Sequence, residues 1–114
     1  MKKMILFFAL LMPMLSCTTQ KTLYTWGKYS NSSYNYLKNS NEEATKELIE
    51  AYQKIIAEQK GSRETVPPGI YADYGFILLQ ADRTEEGKAM LLKEIELYPE
   101  SQIFIDRILS IIEP

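Results

Sequence analysis

The chain has 114 residues, with 13 basic and 15 acidic side chains, no histidine and one cysteine. A formal charge of −2, with no basic cluster, offers nothing to neutralise nucleic-acid phosphates, so no nucleic-acid partner is expected. Without histidine the usual general base near neutral pH and the commonest metal ligand are missing, so neither catalysis nor a metal or other cofactor is expected.

In chain order, Lys2 and Lys3 form a positive start, and Met4 to Leu15 is an apolar run interrupted only by Pro13. The run is too short to cross a hydrocarbon core, which takes ~20 residues, and fits the ~7–15 apolar residues of a secretory signal. It ends in Ser16-Cys17, which resembles the lipobox of bacterial lipoproteins. There the thiol, whose thiolate is the nucleophile, is alkylated by diacylglycerol, and cleavage leaves the cysteine first. The expected organisation is a signal peptide over 1–16, lipidated Cys17 opening a polar tether to residue 23, and a helical domain over 24–114. The mature chain then has 98 residues with 11 basic and 15 acidic groups, a charge of −4, and enough length for one modest core. The lipobox resemblance implies three acyl chains, a far firmer anchor than one. Thr18 stands where aspartate would retain a lipoprotein in the inner membrane. The expected location is therefore the bacterial outer membrane, lipid-anchored and facing the periplasm.

Tyr29, Tyr36 and Leu37, in "GKYSNSSYNYLK", share one face of a first helix, although Ser and Asn lower its propensity. From Glu42 to Lys60, Ala44, Leu48, Ala51, Tyr52, Ile55 and Ile56 fall on one helical face. Ser40 and Glu43 read as a capping box, Gly61 as the residue that ends the helix, and Glu50–Lys54 as an ion pair on the wet face. After "GSRETVPPG", a helix over Gly69–Ala81 turns Ile70, Tyr71, Tyr74, Ile77 and Leu78 inward. Thr84 is placed to cap the next helix, which carries Leu91, Leu92, Ile95 and Tyr98 inward and stops at Pro99. Ser101 is placed to cap a last helix, Gln102–Glu113, with Phe104, Ile105, Ile108, Leu109 and Ile112 on its apolar face. Nothing alternates with period two, so the fold class is all-α.

Helix pairs joined by short turns suggest a repeat. Taking Pro99 as the proline that closes a ~34-residue tetratricopeptide unit puts Tyr71 at its aromatic position and Gly75 at a small helix-contact position. Leu78, Gly87 and Leu91 then take the next large, small and large positions. Upstream, Ala44, Leu48 and Ala51 copy the second-helix pattern. About two degenerate tetratricopeptide-like hairpins and a C-terminal capping helix are expected. An unrelated bundle of four or five helices is the alternative.

Tyr24, Trp26, Gly27 and Tyr29, then Pro67-Pro68-Gly69 and Tyr98–Ser101, carry a further resemblance over essentially the whole mature chain. The sequence resembles a family of small bacterial lipoproteins with tetratricopeptide-like repeats and no assigned activity. Members are often encoded beside a lipoprotein similar to the curli secretion pore. The resemblance implies other envelope lipoproteins as partners, that one among them.

The residues themselves leave two functional classes. Trp26, Tyr29, Tyr34 and Tyr36 are aromatic side chains suited to a protein interface, beside the starts of the helices at Glu42 and Gly69. Tyr34, out of phase with Tyr29 and Tyr36, is the clearest exposed contact. That reading is a lipid-anchored adaptor. The alternative is an envelope carrier that stacks a small ligand or wall glycan in an aromatic pocket. Glu42–Glu43 and Glu85–Glu86 read as first-turn acids facing a helix dipole, not as catalytic pairs.

Overall fold

Sequence periodicity is realised as five α-helices among the residues described by the computed structural model, Cys17 and 19–113, and no strand occurs among them. The expected signal peptide lies outside the described residues. The helices are α1 (Tyr29–Asn39), α2 (Glu42–Ala57), α3 (Ile70–Gln80), α4 (Thr84–Leu97) and α5 (Gln102–Ile112), with a 3-10 turn Pro99–Ser101 before α5. Each helix packs chiefly on the next in sequence.

The α2–α3 core is Leu48, Tyr52, Ile55, Val66, Ile70, Tyr71, Tyr74, Ile77 and Leu78, with Tyr29 and Tyr36 of α1 against its side. Ala72, Leu91 and Ile105 form a second core between α3, α4 and α5. Burying each large apolar side chain contributes ~1.5–3 kcal/mol. Where α3 meets α4 the two backbones nearly touch. A Cβ built on Gly75 would lie 2.8 Å from the Gly87 carbonyl oxygen, and one on Gly87 would lie 2.8 Å from that of Gly75. No side chain fits between them.

Several local expectations are corrected. The N-cap of α2 is Asn41, not Ser40: its Oδ1 accepts from the Ala44 N–H at 2.8 Å. Ser40 instead closes α1 in the left-handed region, with φ 45°. Helix α2 stops at Ala57, so Gly61 is not its terminating residue. Thr84 is the first residue of α4 and caps nothing. Ser101 sits at the N-cap of α5 but in helical conformation, and its Oγ donates backward to the Tyr98 carbonyl at 2.7 Å. Among the described residues the ion pairs are Arg83–Glu86, Lys88–Glu85 and Lys88–Glu113, and Glu50–Lys54 is not one. Leu37, Leu92 and Phe104, expected inward, are exposed.

Candidate interaction surface

The approach to α1 is fixed by main-chain hydrogen bonds. Residues 22–25 lie across the loop after α2: Ser62 N–H donates to Thr22 O at 2.9 Å and Arg63 N–H to Leu23 O at 3.2 Å. Gln59 clamps Thr25 from both sides, its Oε1 accepting from Thr25 N–H and its Nε2 donating to Thr25 O. Gly61 is buried under this crossing, where a Cβ would fall 2.2 Å from Leu23 O. Gly27, at φ 54°, then turns the chain into α1. A residue without a side chain permits each of these two moves.

The crossing places Tyr24 and Trp26 at the outer end of an aromatic series. Successive ring centroids lie 6.2 Å apart for Tyr24–Trp26, 5.8 Å for Trp26–Tyr29, 5.6 Å for Tyr29–Tyr52 and 5.5 Å for Tyr52–Tyr74. Trp26 remains 43% exposed, whereas Tyr52 and Tyr74 are in the core. The series thus runs from solvent through α1 into the α2–α3 interface. Its polar tips find partners: Tyr29 Oη donates to Asp73 at 3.4 Å, and Tyr74 Oη accepts from Gln53 at 3.2 Å. Burial pushes the Tyr52 hydroxyl well above its ordinary range. Burial first, and then the Asp73 carboxylate, raise Tyr29. The Tyr29 and Tyr52 hydroxyls are therefore neutral at neutral pH.

The four aromatics expected on one binding face divide. Tyr29 and Tyr36 lie on the inner face of α1, and Tyr36 Oη donates to Gln80 at 2.9 Å. Tyr34 is 63% exposed and lies roughly 140° around the helix from Tyr29. The helix starts at Glu42 and Gly69 also separate: Glu42 shares a cleft with Gln80 and Arg83 at the far end of α3, whereas Gly69 begins α3. That cleft measures about 640 Å³, and Tyr36 is its one aromatic wall residue. A second cleft, of about 460 Å³ between α1 and α2, has none. Cys17 is exposed, and among the described residues no cluster of three His, Cys, Asp or Glu could hold a metal.

Tyr52 and Tyr74 were legible only as core residues. Their membership in the series arises from their meeting with Tyr29, and the close approach at Gly61 had no local signal at all.

Five helices packed chiefly on their sequence neighbours, with Trp26 exposed at the outer end of the aromatic series, define a small all-α domain. The chain belongs to the family described as a domain of unknown function, DUF4810, which matches residues 23–108. Neither the curated proteins nor the solved structures give a match.

Proposed function

We propose that this chain is a lipid-anchored adaptor of the bacterial outer membrane that binds other envelope proteins through a helical-repeat surface, without catalysis. The observation that carries the reading is Trp26, exposed at the outer end of an aromatic series that Tyr29 and the core rings brace. Aromatic anchors of this kind dominate protein interfaces. The carrier alternative calls for an enclosed aromatic pocket, and Tyr36 is the one aromatic residue lining either cleft.

The tetratricopeptide-like reading is supported by a correspondence between the hairpins. Buried Ser32 precedes Ala44 by as many residues as Gly75 precedes Gly87, and Leu48 follows as Leu91 does. The anchor rests on the Ser16-Cys17 junction and on the exposure of Cys17. The partners implied by the resemblance are envelope lipoproteins, including one similar to the curli secretion pore.

Trp26→Ala tests the surface. Truncating an aromatic anchor costs ~2 kcal/mol or more of binding, roughly thirtyfold in affinity. Co-purification of an envelope lipoprotein should fall accordingly while helical circular dichroism is kept. Undiminished capture would move the binding surface elsewhere. Cys17→Ala should leave an unlipidated precursor that no longer fractionates with the outer membrane.

A further inference from the structure

Helix α5 covers the second core with Ile105, which is fully buried, yet its opposite face is also apolar. Ile103, Arg107 and Ile111 recur at every fourth residue, with Phe104 beside them, so they form one stripe. Ile103 is 73%, Phe104 61% and Ile111 80% exposed. A helix that merely closes an array presents a polar outer face. This one does not.

The charge within the stripe selects its occupant. Arg107 is exposed at the middle of the stripe and makes no ion pair among the described residues. Covering the stripe would withdraw the guanidinium from water, which is strongly unfavourable unless a carboxylate meets it. A second copy of this chain, packed antiparallel about the same centre, would set Arg107 against Arg107. A membrane surface is also a poor match, because helices that lie on membranes carry Lys and Arg along their polar face. Here the neighbouring charges are Asp106 and Glu113.

We propose that the outer face of α5 is a second docking surface, apart from the aromatic margin, for an amphipathic helix of another protein. That helix carries an Asp or Glu at the centre of its apolar stripe. Two envelope proteins could then be held by one domain, one at each end of the helix series.

A photo-crosslinking residue at Ile103 or Ile111, in the full-length chain in its native envelope, tests this. The expected adduct is a peptide of a different protein, with apolar residues at helical spacing around a carboxylate. Arg107→Glu should reduce that adduct about tenfold or more, and changing the partner's carboxylate to Lys should restore it. The domain's circular dichroism should not change, since Arg107 has no internal partner. Adducts to lipid, adducts to a second copy, the absence of any adduct, or an adduct indifferent to Arg107→Glu would each overturn the proposal.

Discussion

Gly61 and Gly75 both matter for the side chain they lack, but against different obstacles. Gly75 faces the backbone of another helix, with the Leu91 side chain 3.0 Å from where a Cβ would stand. Overpacking such a contact typically costs ~1–3 kcal/mol, so Gly75→Leu should lower the melting temperature clearly. Gly61 lies outside the positive-φ glycines, so strain in φ is not what excludes a side chain there. Gly61→Ala instead collides with Leu23 O and should shift the 22–25 crossing, which a change in Trp26 fluorescence reports alongside the melt. Tyr98 gives a pH signature. Its Oη donates to Val66 O at 2.6 Å, and burial, then the neighbouring Tyr24, push its hydroxyl up to about 12. An unfolded tyrosine ionises near ~10. The stabilisation is therefore complete below pH ~10 and is lost as pH rises toward the folded value. Tyr98→Phe should cost ~1 kcal/mol at neutral pH and flatten the alkaline fall of the melting temperature. A variant that melts like the parent at both pH values would remove this role.

At the scale of elements, the caps separate neighbouring residues sharply. Asn41→Ala should destabilise by about 1 kcal/mol, because it removes the acceptor for an orphan N–H of α2. Ser40→Ala should do little at that helix start, and thermal melts of the two variants distinguish them. The sequence reading places the cap at Ser40, one residue early; Ser and Asn share the chemistry, and which one serves depends on where α1 ends. Inward faces were legible for α3, where Ile70, Tyr71, Tyr74, Ile77 and Leu78 are all buried. They were less legible for α4 and α5, because Leu92 and Phe104 satisfy the helical period without finding anything to pack against. Periodicity says which residues share a face; it does not say how wide the neighbour is. The aromatic margin was visible as composition, but the separation of Tyr34 from Tyr29 follows from helical phase, and the entry of Tyr52 from tertiary contact. The buried Glu94 carboxylate, which accepts from Gly69 N–H at 2.7 Å and so ties α4 to the start of α3, gave no signal beyond one more acid on a helix.

For the whole molecule, packing between sequence neighbours means that each helix is held mainly by one or two others. Leu78, fully buried, sits in the main core, and Leu78→Ala should cost ~2–5 kcal/mol, measurable as a shifted denaturant midpoint. The crossing of residues 22–25 has a mechanical consequence once Cys17 is anchored in lipid. Among the described residues main-chain pairing with the loop begins at Thr22, five residue steps from Cys17. Fully extended, that leash spans roughly 18 Å. On the proposed anchoring it would confine the domain to a thin shell above the bilayer, and any tug on the anchor would pull first on the crossing over Gly61. A partner of the proposed kind would then have to come down to the lipid surface to meet Trp26. A flexible Gly/Ser insertion before Thr22 would release the domain without altering its fold. Capture of a membrane-bound partner should then drop, while binding of the same partner in solution stays constant.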